Sequence, residues 1–209
     1  MLRQKKYGIL ITVMMFISLT SIGSANIFHI ERVPREQPDE TLITERTTIG
    51  LFGGPVVKFS QVNDEFAVLV GGYGGFVINR RFVIGGGGYG LTNEIAIGIY
   101  PYGPLYLKCG YGGVMLGYVL GSRRIAHLFF HTLIGGGAVS LEPDYLYDWY
   151  DDAFFVFEPG LDLEFNITRH FRMGIGGTYR FVDGIDTYGL NDDDISGASV
   201  SLTFKFGSF

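Results

Sequence analysis

The chain has 209 residues, 47% of them apolar and only 18% charged, with a formal net charge of −5. The acidic balance argues against a nucleic-acid partner. The single cysteine, Cys109, excludes an internal disulfide and any cysteine-based metal cluster.

The first 25 residues read as a secretory signal. Arg3, Lys5 and Lys6 precede an apolar run from Tyr7 to about Leu19, and Gly23-Ser24-Ala25 supplies the small-residue cleavage site. The run is shorter than the ~20 residues of a spanning helix, which favours cleavage after Ala25 over an uncleaved anchor. Removing these residues takes away three basic groups and no acidic one, so the net charge falls from −5 to −8. Residues 26–46 are polar, carry two prolines, and read as a lead-in segment.

From residue 47 to 209 the character changes. Eight Gly-, aromatic- and β-branched-rich runs follow, at about 47–59, 65–78, 81–91, 105–120, 124–141, 153–167, 171–182 and 196–207. None has a convincing helical period, although 124–134 could pass for a short helix. The breaks near 79–80, 121–123 and 168–170 are short, and those at 92–104, 142–152 and 183–195 are long; the break near 60–64 is intermediate. Short turns at one end and long loops at the other characterise a transmembrane barrel. Arg80, Arg81, Arg123, Arg124 and Arg169 fall in the short turns, whereas acidic residues crowd the long loops. The expected fold is therefore an eight-stranded antiparallel up-and-down transmembrane β-barrel.

The last run alternates almost without error. Ala198, Val200, Leu202, Phe204 and Phe206 share one face, and Ser199, Ser201, Thr203 and Lys205 the other; the chain then stops at Phe209. The sixth and seventh runs place Phe155, Phe157, Leu161, Leu163 and Phe165, then Phe171, Met173, Ile175, Tyr179 and Phe181, on one wall. Their other wall carries Glu158, Asp162, Glu164, Arg172 and Arg180. A charge inside a narrow lumen is held only if it is paired, so Glu164 is expected beside Arg172, or Glu158 beside Arg180, forming a plug. A soluble lipocalin-like barrel would reverse the walls, but its water-facing side should be richer in charge.

The glycines at 71, 72, 74, 75, 85–88, 110, 112, 113 and 135–137 should form a band across neighbouring strands, with Tyr73, Tyr89 and Tyr111 over the bare backbone. Two stretches, 71–90 and 110–137, look like copies of one hairpin. Aromatic girdles are expected at the turn side (Phe76, Phe82, Tyr118, Phe165, Phe171, Phe206, Phe209) and at the loop side (Phe59, Phe66, Phe154, Phe181). Pro55 and Pro159 fall inside strands, where bulges are expected.

These residues resemble the small outer-membrane β-barrel families typified by the OmpA transmembrane domain, OmpX and OmpW. Segments such as F-E-P-G-L-D-L-E-F-N-I-T-R and M-G-I-G-G-T-Y-R-F-V-D-G also resemble uncharacterised barrel proteins of Bacteroidetes-type bacteria. The resemblance implies a bacterial outer-membrane location and contact with outer-membrane lipid. It also implies that the C-terminal strand, through Val200, Leu202, Phe204, Phe206 and Phe209, is read by the barrel-assembly machinery. It brings no catalytic residues and no cofactor.

Other motifs carry little. Gly85-x-Gly87-x-x-Gly90 has the spacing of a dinucleotide fingerprint but no helix follows it. His127 and His131 sit ~13 Å apart on a strand, too far to share a metal, and are read as lumen-lining. Some barrels are lipid-modifying enzymes with His and Ser at the outer rim, but here Ser140 has no partner near in sequence, so no enzyme is expected. Asp183, Asp186 and Asp192–Asp194 lack EF-hand spacing and read as a solvated loop. Tyr145, Tyr147, Trp149 and Tyr150 lie among the acids of the 142–152 loop and suit either a surface contact or the outer girdle. The functional readings are a structural or surface-interaction barrel, a narrow channel or small-ligand uptake barrel, or a soluble periplasmic binder.

Overall fold

The computed structural model describes residues 47–100, 103–143, 150–187 and 189–209. The signal and lead-in segments, and Tyr145, Tyr147 and Trp149, lie outside the described residues.

Eight long stretches of alternating or glycine-rich sequence form strands that run up and down in chain order. They are β1 (Ile49–Val62), β2 (Glu65–Ile78), β3 (Phe82–Leu91), β5 (Gly103–Leu120), β6 (Ala126–Pro143), β7 (Tyr150–Asn166), β8 (Phe171–Asp183) and β11 (Gly197–Gly207). A short β4 (Ala96–Tyr100) follows β3 and pairs with the outer part of β5. Every neighbouring pair is antiparallel, and β11 returns to β1, with Val57 opposite Leu202, to close the barrel. Closure satisfies the edge hydrogen bonds that an open sheet would leave bare. The segment 124–134 is not a helix: from Ala126 onward each of its residues has a partner on β7.

The side chains sort inside-out. On β8, Arg172, Gly174, Thr178, Arg180 and Val182 point inward, and Met173, Ile175, Tyr179 and Phe181 are exposed. On β11, Ser199, Ser201, Thr203 and Lys205 are buried while Val200 and Phe206 are more than half exposed. From Phe171 to Phe181 the apolar face spans ten steps, roughly 34 Å along the strand or about 25 Å along the axis of a tilted barrel. That matches the height of a membrane barrel's apolar band. At the loop end the outer wall turns polar with Lys108, Ser140 and Asp151, which sit side by side on β5, β6 and β7.

The glycine band crosses five strands. Gly53 faces Gly74, Gly74 faces Gly86, Gly87 faces Gly113, and Gly113 faces Gly135. A Cβ on Gly113 would lie 2.2 Å from the Ile134 carbonyl oxygen, and one on Gly135 would lie 2.1 Å from that of Gly112. The wall bends so sharply here that an inward side chain has no room. Aromatic rings cover several of these gaps: Phe129 lies over Gly117, and Phe154 over Gly137. The two similar hairpins, β2–β3 and β5–β6, stand next to each other, joined along β3–β5.

Several expectations need correction. Neither proline sits in a bulge. The β1–β2 ladder runs through Pro55 without a shift, and the β6–β7 ladder runs through Pro159. Each proline instead interrupts pairing on its other side, with β11 and with β8, while the register is kept. A register shift occurs between Ala96 and Ile99, within the stretch expected to be loop. The first loop-end connection is a two-residue turn, Asn63-Asp64, and not a loop of intermediate length. Phe154 is buried in the interior, not in the outer girdle.

The turn between β2 and β3 uses Asn79 and Arg80, both with positive φ (53° and 57°). The connection has three residues, Asn79–Arg81, and the Arg81 N–H donates to the Ile78 carbonyl, so Asn79 and Arg80 are the central pair of the turn, where left-handed backbone favours Asn-Gly. Relief of the left-handed penalty at Arg80 should exceed the added chain entropy of glycine. Arg80→Gly should therefore raise stability by about 0.5 kcal/mol, read from urea unfolding midpoints in detergent micelles. Destabilisation by more than about 1 kcal/mol would contradict the turn assignment.

Candidate functional site

The interior of the barrel holds the chemistry. β7 supplies three carboxylates on alternate inward positions, Glu158, Asp162 and Glu164, each about 1% exposed. Their partners come from across the lumen. Lys58 of β1 donates to Glu158, and Lys205 of β11 donates to Glu164. Tyr111 of β5 donates to the second oxygen of Glu158 at 2.6 Å. His127 Nε2 of β6 meets the second oxygen of Glu164 at 3.1 Å, and His131 lies 3.4 Å from Asp162. Ser201 donates to Asp162 at 3.3 Å. The two histidines therefore serve different carboxylates and share no metal geometry.

Both lysines are caged by rings. Lys58 Nζ lies 3.4 Å from the centroid of Tyr89. Lys205 Nζ lies 3.7 Å from Phe129 and about 5 Å from Phe52 and Tyr73. Ring faces are electron-rich, so they compensate an ammonium that has left water. Tyr73, Tyr89 and Tyr111 thus fill the space left by the glycines and also surround the charges.

The pairing differs from the one expected. Glu164 forms its ion pairs with Lys205 and His127 and none with Arg172, and the β7–β8 ladder sets Glu164 opposite Gly174 and Arg172 opposite Asn166. Arg172 stacks on the ring of Phe209, 3.7 Å from its centroid. Arg180 does not bridge Glu158 either; its Nε donates to the carbonyl of Ile195 at 2.8 Å. The cations that meet these carboxylates are instead Lys58 and Lys205. Each is the sole charged residue of its strand, and in a membrane wall such a charge must face the lumen.

The connection after β8 folds over the loop end. It contains a small hairpin, β9 (Asp186–Thr187) with β10 (Leu190–Asn191), and one helical turn, α1 (Asp192–Ile195). Ile185, Leu190 and Ile195 from this segment are buried with the interior cluster. Its acids are hydrogen-bond acceptors for the backbone. Asp192 accepts from Gly184 and Ile185, Asp194 accepts from Asn191, and Asp152 of β7 accepts from Asp186. The Asp194 carbonyl accepts from Asn63 at the β1–β2 turn. Among the described residues no cluster has the composition of a metal site. Ser140 donates to Asp151, eleven positions later, on the outer wall.

At the turn end, Phe209 points inward. It packs on Phe52 and Arg172, on the same side as Ser199, Ser201, Thr203 and Lys205. The expectation that it joins the outer girdle is corrected: Phe209 lies two residues beyond β11 and continues the parity by which the odd positions of that strand face the lumen. Val200, Leu202 and Phe206 are on the outer wall, and Phe204 is half-buried there.

No protein-family model matches the chain, and no curated protein sequence matches it. Solved structures do. Neisserial surface protein A is similar at a TM-score of 0.56 and 10% identity, covering 78% of this chain and 99% of its own. The N-terminal β-barrel domain of Pseudomonas aeruginosa OprF gives 0.49 at 10% identity, with 75% and 96% covered. Ail, the attachment invasion locus protein of Yersinia pestis, gives 0.43 at 12% identity, with 76% and 97% covered. At 10% identity the likeness to the Neisserial protein is one of fold: this chain is a closed eight-stranded antiparallel β-barrel of that architecture.

Proposed function

We propose that the protein is an integral barrel of a bacterial outer membrane with a structural or surface-interaction role, and that its lumen is closed to ions. The inside-out distribution of side chains carries this reading. An apolar wall about 25 Å high surrounds a charged interior whose lysines are paired with carboxylates, an arrangement that water would penalise and lipid favours. A soluble binder of the lipocalin kind would expose that wall to water, a liability for any secreted protein. The signal-like N-terminus and the fold shared with a Neisserial surface protein support export and an outer-membrane location.

Closure of the lumen is supported at three levels. The cages around Lys58 and Lys205 fill the cross-section, and the segment bearing Ile195 covers the loop end. Arg180, buried and bonded to Ile195, ties that cover to the wall. Phe209 narrows the turn end. The role is one of binding or scaffolding, with the barrel-assembly machinery and outer-membrane lipid as the partners implied by its class.

Two measurements test this. After cell fractionation the full chain should be found in the outer-membrane fraction and migrate faster on a gel unheated than boiled. Recovery in the soluble periplasm without detergent would end the membrane reading. In planar bilayers it should give no steady single-channel current; such a current would make it a narrow channel.

A further inference from the structure

We propose that the turn end of the barrel is an anion site built to take a phosphate group, carried by an acidic lipid headgroup or free in solution. This goes beyond the reading above. A cavity of about 620 Å³ opens there, bounded by the turns before β3, β6 and β8 and by the end of β11. Arg80, Arg123, Arg169, His170 and Arg172 line it, and Phe209 is part of its wall. A second cavity of about 490 Å³ shares Arg80 and Arg123 and adds Arg81, Arg124 and Phe82.

None of the arginines around this cavity is in an ion pair among the described residues, although the field of Glu164 reaches Arg172. The ion pairs among those residues are made by Lys58, His127, His131 and Lys205. The carboxylate of Glu164, deeper in the lumen, is already held by Lys205 and His127. Like charges gathered around one concavity repel each other unless an anion sits among them, and low-dielectric walls focus their field on it.

Arg172 provides the independent observation. It is 6% exposed, it lines the cavity, and its Nε finds no acceptor among the described residues. A buried guanidinium donor left without an acceptor is costly. The guanidinium is held in place by its stack on Phe209. A planar fork fixed at the base of a ring of arginines suits a tetrahedral oxyanion, which accepts from several donors at once.

The position relative to the apolar band favours a membrane source. Phe76, Phe82 and Phe206 are exposed on the outer wall at this end, where a barrel meets headgroups. A lipid phosphate would then reach Arg81, Arg124 and the cavity beyond from the side.

The test uses the full chain in non-ionic detergent. Native mass spectrometry counts retained phosphatidylglycerol and phosphatidylcholine for the wild type and for R123Q/R169Q, whose altered side chains lie outside the lumen network. Phosphatidylglycerol should be retained at about tenfold lower concentration than phosphatidylcholine, and the double variant should narrow that gap to about twofold. Inorganic phosphate should displace the acidic lipid where chloride at matched ionic strength does not. If inorganic phosphate binds the wild type and not the variant while the two lipids are retained equally, the site stands with a soluble phosphate as its source. Equal retention of both lipids, with no phosphate effect, overturns the proposal. Heat-modifiable migration of the same samples reports the barrel separately, so loss of the anion site and failure of the barrel reading are told apart.

Discussion

Replacing Lys58 by methionine should cost about 3–5 kcal/mol of stability, because it strands Glu158 as an uncompensated buried charge. Both groups are almost fully inaccessible, at 2% and 1% exposure, and Tyr111, which also donates to the carboxylate, is neutral and cannot replace the lost charge. The cost lies in the desolvated partner left behind more than in the lost contact. The double variant Lys58→Met/Glu158→Leu should therefore recover most of the loss, since two apolar side chains of similar volume need no compensation. Urea unfolding of the barrel in micelles, followed by the loss of heat-modifiable migration, reads both variants. A single variant within about 1 kcal/mol of wild type would show that water reaches Glu158 and that the interior is not dry.

Gly113→Val should prevent the barrel from closing. The new Cβ would sit 2.2 Å from the Ile134 carbonyl oxygen and 2.7 Å from the Gly135 Cα. Both obstacles are backbone on the adjacent strand, so no side chain can rotate away. Relief requires β5 and β6 to separate or flatten, which opposes the curvature of the whole wall. The expected loss is at least about 3 kcal/mol, the upper end of what overpacking costs. Gly90→Ala is the matched control, as a Cβ there meets nothing within 4 Å. It should fold like the wild type. If both variants refold equally well, the glycine band is not a requirement of closure.

Much of this architecture was legible because a strand's side-chain period is two. The alternation of Ala198 through Phe206, and of Phe155 through Phe165, identified the two walls, and the spacing of breaks identified the turn and loop ends. The carboxylates of β7 were readable as lumen groups for the same reason. Phe209, two residues beyond β11, continues the same parity, which its aromatic type alone does not reveal. The prolines misled because a missing donor suggests a bulge. In fact each strand residue donates to one neighbour only, so Pro55 and Pro159 break one ladder and leave the other intact.

What the residues determined by themselves was the class: export-like start, eight strands, an apolar exterior and a charged interior. Which charge meets which was decided by the closed ring. Local reasoning pairs β7 with β8, its neighbour across a short turn, but inward side chains in a narrow barrel reach across the lumen as readily as along the wall. Glu158 therefore meets Lys58, one hundred positions earlier, and Glu164 meets Lys205, forty-one positions later. The same closure gathers Arg80, Arg123 and Arg169, from three turns far apart in sequence, and Arg172 of β8 around one cavity. Strand periodicity is a local property that any stretch of chain displays. The stagger that brings distant strands into register exists only once the sheet has met its own edge.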